Sequence, residues 1–336
     1  MKKWYEIKGN ENDVVFKTRV SLSRNLGDFP FPGRLSVSEK HEVNNAVKDI
    51  VLRNNKLSLS FIEMSSLTSA QAVSLAERYI ISPEFASNSS GRALLLSEDE
   101  SVSIMLCEED HIKIQSVCSG LDLEKTYEIA DELDSIIDEG SGYAFDKNLG
   151  YLTQSPTVLG TGMRASVMLY LPALSATGNM SRLSQTVSRL GLTLKSGYTN
   201  VMFSAGYIYQ LSNQVTLGIS EKNAISNLNS IALQLVSQER QARETMISDD
   251  KYIDKIKRAY GILQFAHMIS SREFTELASL VRLGASCSLI DADIQKIDEL
   301  MFDMQPATIN ASLERNLAQN ERDKYRANKI REKLLS

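Results

Sequence analysis

Hydrophobic and polar positions alternate over two neighbouring stretches in the first third of the chain. Residues 93–106 and 111–117 are rich in branched apolar side chains and are separated by an acidic turn, which predicts an antiparallel hairpin. In the second stretch Ile112 would point to one face of the sheet, and His111 and Lys113 to the other. One face is therefore expected to pack, while the other carries polar groups towards a candidate site.

Helical periodicity elsewhere predicts helices that cover this sheet. Residues 123–137 place apolar side chains on one helix face, and Asp122 precedes them as the expected N-terminal cap. A long helix is predicted over residues 220–246. Three further strands are predicted over residues 165–171, 192–194 and 206–211. Residues 1–248 thus read as an α+β domain in which helices flank an antiparallel β-sheet.

From residue 249 onwards the pattern predicts helices only. The expected breaks are at Gly284 and Pro306, since glycine and proline interrupt helical patterns. Residues 249–336 are therefore predicted to form a separate, all-α domain. The four predicted helices cover residues 252–269, 271–283, 290–304 and 314–335.

Composition narrows the classes of function. The net charge of −5 and the pI near 5.5 give no electrostatic case for binding nucleic acid or an anionic membrane. The three cysteines have no metal-ligand spacing, and the N-terminus lacks the apolar run of a signal peptide. No stretch approaches the roughly 20 apolar residues of a membrane-spanning helix. These features predict a soluble, cytoplasmic protein without a metal site, a membrane contact or direct nucleic-acid contact.

Three segments carry arginines and carboxylates, the side-chain types that phosphoryl transfer to a guanidinium group would need. They cover residues 13–25, 107–113 and 152–164 and contain, in order, a strand-like stretch with arginine, the acidic turn Cys-Glu-Glu-Asp-His, and the motif Gly-Thr-Gly-Met-Arg. Such a transfer needs positioning and charge neutralisation around the phosphates. It also needs carboxylates, because a guanidinium is protonated at neutral pH. The segments, in this order, resemble the signatures of the ATP:guanido phosphotransferases, the phosphagen kinases, and most closely their bacterial protein-arginine kinase (McsB) branch.

The resemblance implies a nucleotide-binding set of five positions. Arg19 and Arg164 match arginines of the family, whereas Ser21, Lys113 and Lys195 stand where the family has arginine. Lysine keeps the charge but cannot make the bidentate fork that arginine makes to phosphate. One of the five cations is therefore lost, and two are weakened.

The resemblance also implies a catalytic set. Glu109, preceded by Glu108, matches the catalytic glutamate of the acidic turn. Ser155 replaces a cysteine that helps to orient the guanidinium, and Asn200 replaces the glutamate of a substrate loop. That loop also carries bulky residues at 201–203 in place of glycines, which disfavours closure over a substrate.

These replacements predict weak or absent catalysis. Loss of one transition-state donor typically costs about 3–4 kcal/mol, and an arginine finger is worth roughly 10³–10⁵ in rate. Such losses do not add simply. ATP and Mg²⁺ are the expected cofactors if the chain is active, and none is expected otherwise.

A last motif lies near the C-terminus. Arg322, Asp323 and Arg326 match an Arg-Asp-x-x-Arg-Ala signature that forms a phosphoarginine-binding pocket in the protein-arginine kinases. The two arginines are four residues apart on one helix face and could share one phosphate. The alternative interpretation is a solvated, charged helix face.

Three functions are compatible with the resemblance. The first is a pseudokinase or weak kinase that acts in protein quality control mainly by binding. The second is an active protein-arginine kinase with rearranged nucleotide contacts. The third, a small-molecule phosphagen kinase, is disfavoured because the small N-terminal helical domain of those enzymes is absent. The partners implied are an McsA-like activator, a ClpC-type unfoldase, a CtsR-like repressor or other arginine-bearing proteins, and a second copy of the chain in a homodimer.

Overall fold

The computed structural model describes residues 1–54, 57–196 and 207–335. Within these ranges eight strands form one antiparallel sheet in the order β2-β3-β4-β5-β1-β8-β10-β9, and β6 and β7 form a small ribbon. The strands are β1 (Val15–Arg24), β2 (Leu59–Glu63), β3 (Ala93–Ser97), β4 (Val102–Leu106), β5 (Ile112–Ser119), β6 (Phe145–Asp146), β7 (Gly150–Tyr151), β8 (Met163–Tyr170), β9 (Leu192–Ser196) and β10 (Ile208–Asn213).

The predicted hairpin exists, but its first stretch forms two strands and not one. Residues 93–106 form two strands, β3 and β4, which pair antiparallel across a tight turn. Asp99 closes that turn by accepting hydrogen bonds from Ser97 and Ser101. The polar residues 97–101 interrupt the apolar stretch and form this turn, so the sequence did contain a signal that divides the two strands.

One face of the sheet packs against three long helices. They bury the apolar face that Ile112 and its neighbours present, as the alternation in β5 predicted. Asp122 accepts a hydrogen bond from the backbone N–H of Lys125, which confirms it as the cap of α4. The helices of residues 37–246 are α1 (Val37–Arg53), α2 (Ser69–Glu77), α3 (Pro83–Ala86), α4 (Leu123–Ser141), α5 (Pro172–Ala176), α6 (Met180–Arg189) and α7 (Glu221–Met246), of which α1, α4 and α7 cover this face.

The last part of the chain is helical, with two corrections to the predicted breaks. Gly284 lies inside α9, where an added Cβ atom would come within 2.3 Å of Ile256, so this glycine permits close helix packing. Pro306 begins a short helix that the sequence pattern did not predict. The helices are α8 (Asp250–Phe265), α9 (Ser271–Ser286), α10 (Ile294–Asp303), α11 (Pro306–Ser312) and α12 (Gln319–Leu335).

These five helices share a core with the second face of the sheet. Phe16 and Tyr170 from the strands, and Trp4 from the N-terminal turn, are buried in one cluster with Phe274 and Phe302 of the helices. The predicted helical segment is therefore packed directly against the sheet, and the boundary at residues 248 and 249 stays a prediction.

Buried polar groups add to this junction. The guanidinium of Arg282 on α9 is fully buried and donates to the backbone oxygens of Asn12 and Asp13, while its other side pairs with Asp298 at 2.7 Å. Arg282 thus ties α9 and α10 to the segment that leads into β1.

The predicted α+β class, with an antiparallel sheet, flanking helices and an all-α end, is confirmed. Among the described residues, none of the helices has the length and apolar character needed to cross a membrane.

Candidate active site

A cavity of about 410 Å³ opens on the second face of the sheet, where β5, β1 and β8 run side by side. Strand register places Ser21 of β1 between Gln115 of β5 and Arg164 of β8. The sequence-predicted residues that line the cavity are Arg19, Ser21, Glu109, Lys113, Ser155 and Arg164. The fold therefore brings together six positions that are far apart in sequence.

Ser21 occupies the middle of the cavity wall without reaching across it. Its hydroxyl donates to the backbone oxygen of Arg164 at 3.1 Å, so the side chain is held against the sheet. The Arg164 side chain extends over the cavity and donates to the backbone oxygen of Thr157 at 3.3 Å. The two retained guanidinium groups, of Arg19 and Arg164, thus flank a position that contributes a short neutral side chain.

Two buried residues, Asp110 and His111, hold the acidic turn in place. Asp110 accepts hydrogen bonds from the Asn25 side chain at 2.6 Å and from the backbone N–H of Gln154 at 2.8 Å. His111 does not face the cavity, contrary to expectation. It is buried between the backbone N–H of Leu26 and the backbone oxygen of Pro30. These contacts make Asp110 and His111 positioning residues that hold Glu109 at the rim.

The positive charge of Lys113 partly neutralises the carboxylates of the acidic turn. The ammonium of Lys113 lies 3.4 Å from a carboxylate oxygen of Glu108, and Glu108 also accepts a hydrogen bond from Ser82. The Glu109 residue as a whole is exposed. Partial burial of its carboxyl group, together with the nearby Asp110 carboxylate, raises the pKa of that group. A raised pKa suits a general base near neutral pH. Lys113 also reaches the cavity, but its charge is shared with the neighbouring carboxylate.

The loop that carries Ser155 depends on two glycines. Gly160 has a φ of 107° and Gly162 a φ of 62°, where a side chain would be strained. An added Cβ atom would also lie 2.3 Å from the backbone oxygen of Thr216 at Gly160, and 2.4 Å from the guanidinium of Arg24 at Gly162. The loop presents the Ser155 hydroxyl, which lies 2.9 Å from that of Thr157.

Two of the predicted residues that the structure describes, Lys195 and Glu108, do not line the cavity. Lys195 is exposed on β9, and the described residues that line the cavity do not include it, although its register partner Gln210 is one of them. Asn200 and the bulky residues at 201–203 lie outside the described residues. Glu108 does not line the cavity itself but contacts Lys113 and Ser82, which do.

Sequence reasoning missed Lys17, which lies on the same face of β1 as Arg19 and lines the cavity. Its side chain is 3% exposed, and its ammonium sits 3.7 Å from the centre of the Tyr79 ring. The signal in the sequence was the two-residue spacing of Lys17, Arg19 and Ser21. The register of β1 with β8 shifts just before Lys17, so Lys17 keeps the alternation of Arg19 and Ser21.

The C-terminal motif is not arranged as two open cations. Arg326 is 1% exposed and donates to the backbone oxygens of Met304 and Ile269 and to the Asp323 carboxylate. Its donors therefore hold the ends of three segments together. Arg322 is half-buried and lines a separate cavity of about 750 Å³, which Arg315 also lines. The expectation that Arg322 and Arg326 share one phosphate is not met in this arrangement.

Comparison with known proteins identifies the family. A model of the ATP:guanido phosphotransferase C-terminal catalytic domain matches residues 41–242, and a model of the protein-arginine kinase McsB C-terminal domain matches residues 249–336. The chain belongs to the ATP:guanido phosphotransferase family. Within that family it is similar to a protein-arginine kinase of Halothermothrix orenii, at 39% identity over 98% of this chain and 96% of the relative. A protein-arginine kinase of Clostridium acetobutylicum is 38% identical over 99% of this chain and 100% of that relative.

Solved structures agree on the fold. A lombricine kinase superposes with a TM-score of 0.61 at 23% identity, covering 69% of this chain and 68% of that one. The duplicated taurocyamine kinase of Schistosoma mansoni gives a TM-score of 0.64 at 20% identity, over 78% of this chain and 38% of that one. At these identities the likeness concerns the fold alone.

Membership of this family implies ATP as a substrate, usually with Mg²⁺. The retained cations at Arg19, Lys113 and Arg164 face one cavity and fit a phosphate chain. Among the described residues there is no cluster of three or more histidine, cysteine, aspartate or glutamate side chains for a metal ion. Magnesium commonly binds through substrate phosphates and water rather than through an all-protein cage.

Proposed function

We propose that this protein-arginine kinase homologue is a pseudokinase or weak kinase whose main role in protein quality control is binding. One observation carries the proposal: Ser21 stands in the middle of the cation-lined wall and turns its hydroxyl to the backbone of Arg164. The wall therefore lacks the central donor between Arg19 and Arg164. Fixed donors at the reacting phosphoryl group supply much of the rate in phosphoryl transfer.

The ion pair between Lys113 and Glu108 supports the same proposal. A lysine whose charge is shared with a neighbouring carboxylate offers less to a bound phosphate than a free arginine fork would. The ATP-dependent site is thereby weakened at two adjoining positions of one wall, while Arg19, Arg164 and Glu109 remain.

Arginine phosphorylation tests this proposal. We expect turnover at least about 10³-fold below that of the Clostridium acetobutylicum relative, because at least one transition-state donor is lost. The measurement is the phosphoarginine formed on an arginine-bearing protein with ATP and Mg²⁺, by mass spectrometry, with both proteins assayed in parallel. A rate within tenfold of the relative's, abolished by Glu109→Gln, would instead establish the alternative, an active protein-arginine kinase that transfers the ATP γ-phosphoryl group to proteins.

Phosphoarginine binding is the second part of the proposal. Arg322 and Arg315 line one cavity between α2 and the α11–α12 region, which places two guanidinium groups where an anion could enter. Arg326 and Asp323 do not line this cavity; their charges are paired with each other at 2.7 Å, and they would support the helix that carries Arg322. Arg322 is then the residue that meets the phosphoryl group.

A binding measurement on the full chain tests this part. We expect phosphoarginine to bind more tightly than arginine or inorganic phosphate, and Arg322→Ala to weaken it about tenfold or more, since a charge-assisted hydrogen bond is lost. Arg272→Ala is the matched control, because Arg272 is exposed on α9 and pairs with Glu276 of its own helix, away from the cavity that Arg322 lines. Equal binding by wild type and Arg322→Ala would remove the phosphoarginine role from this motif.

The partners proposed follow from family membership. A binding protein of this kind would meet arginine-bearing proteins, a ClpC-type unfoldase, an McsA-like activator and a CtsR-like repressor in the cytoplasm, and would act as a homodimer. Co-purification with each of these proteins, with and without arginine phosphorylation of the partner, would test the list.

A further inference from the structure

Lys17 is a buried lysine, and the fold offsets the free-energy cost of burying its ammonium only in part. Its side chain is 3% exposed, and among the described residues no hydrogen-bond partner is found for its ammonium. The Tyr79 ring centre lies 3.7 Å away and the Trp4 ring centre 5.5 Å away. Ring faces stabilise a cation, but less than a carboxylate or several hydrogen bonds would.

This position is unfavourable for stability and therefore calls for an explanation. A buried lysine without a carboxylate partner costs free energy, and a methionine of similar length would pack there without that cost. Lys17 is, however, one of the residues that line the cavity, two positions before Arg19 on the same strand face. The Tyr79 ring on which its amine rests lines the same cavity, so the amine lies directly beside it.

We propose that Lys17 is an anion-binding residue of this cavity and supplies, from the edge of the wall, the positive charge that Ser21 does not supply from the middle. The ligand class is a phosphoryl anion, either the polyphosphate of a nucleotide or the phosphoryl group of a phosphorylated guanidinium. This inference rests on the proposed function of the same cavity. It accounts for a cost in stability at a cavity wall, which is typical of binding residues.

The proposal has a signature in proton uptake. Burial, reinforced by the positive charge of Arg19, lowers the pKa of Lys17 well below its ordinary value. A bound anion favours the charged amine and raises that pKa again, so binding should take up protons where the amine of the empty site is partly neutral. The other charged groups that face the cavity are Arg19, Glu84, Glu109, Lys113 and Arg164, and the phenol of Tyr79 also lines it.

Calorimetry on the full chain tests the proposal. Pyrophosphate, phosphoarginine and inorganic phosphate are titrated between about pH 7 and pH 10 in pairs of buffers with different ionisation enthalpies, which gives the protons taken up per anion bound. We expect Lys17→Met to bind the preferred anion about tenfold or more weakly and to take up fewer protons than wild type. Protonation of the anion itself is common to both proteins and cancels in the difference. Which anion binds best identifies its source.

The controls separate binding from folding. Lys17→Met should raise the melting temperature, because an uncompensated buried amine is removed, so a loss of anion binding cannot be ascribed to unfolding. Lys125→Met, at an exposed position on α4 across the sheet, should change neither property. Equal affinity and equal proton uptake in Lys17→Met and wild type would overturn the proposal, as would a folded wild type that binds none of the three anions. Rapid arginine phosphorylation would reject the weak-kinase proposal and leave the Lys17 result standing.

Discussion

Replacement of Arg326 by alanine is expected to lower the free energy of unfolding by about 3–5 kcal/mol, the usual cost of breaking a buried, hydrogen-bonded ion pair. The guanidinium is 1% exposed and pairs with Asp323 at 2.7 Å. It also donates to the backbone oxygens of Met304, at the end of α10, and Ile269, just before α9. Without it, three acceptors lose their donor in an apolar environment. Denaturant unfolding followed by circular dichroism measures the change.

Arg322→Ala is the matched control for this measurement. Arg322 is half-buried and faces a cavity, so we expect its loss to change stability by about 1 kcal/mol or less. In a double mutant that also lacks Arg326, a loss of phosphoarginine binding could come either from a destabilised helix or from a missing ligand contact. If Arg326→Ala unfolds at the same denaturant concentration as wild type, its buried hydrogen bonds contribute little and the residue is free to serve a ligand instead.

The motif shows what sequence spacing can and cannot reveal. Four-residue spacing places Arg322 and Arg326 on one side of α12, and that part of the inference is correct geometry. Spacing does not reveal what covers the helix, and here the segments at Ile269 and Met304 cover Arg326 while Arg322 is left at a cavity. The helix is so rich in charges that its buried stripe, which includes Ala327 and Ile330, is hard to recognise from the sequence.

The candidate site was more predictable, for a physical reason. Residues two apart on a strand share a face, so Arg19 and Ser21 were expected side by side, and the register of β1 with β8 then adds Arg164. Lys17 was missed because it follows the apolar run Val14-Val15-Phe16, although its two-residue spacing from Arg19 places it on the same strand face. The split of residues 93–106 into two strands was missed although the polar residues 97–101 mark the turn between them.

Restoring the family residues is expected to raise arginine phosphorylation about 10³-fold or more. The changes are Ser21→Arg, Lys113→Arg, Ser155→Cys, Lys195→Arg and Asn200→Glu, made together, because groups that act as a unit are strongly non-additive. Ser21→Arg places a guanidinium between Arg19 and Arg164 on the cavity wall, where a single transition-state donor is typically worth about 10²–10³ in rate. The measurement is phosphoarginine formation with ATP and Mg²⁺.

The matched control for that restored protein adds Glu109→Gln, which keeps the size and burial of the side chain but removes the base at the rim of the cavity. Activity that rises on restoration and falls again with this change would place the deficit in the replaced cations and the proton acceptor in Glu109. A restored protein that binds ATP yet stays as slow as wild type would mean that the missing rate lies elsewhere. The bulky residues at 201–203, which stand where the family has glycines, would be the next to change.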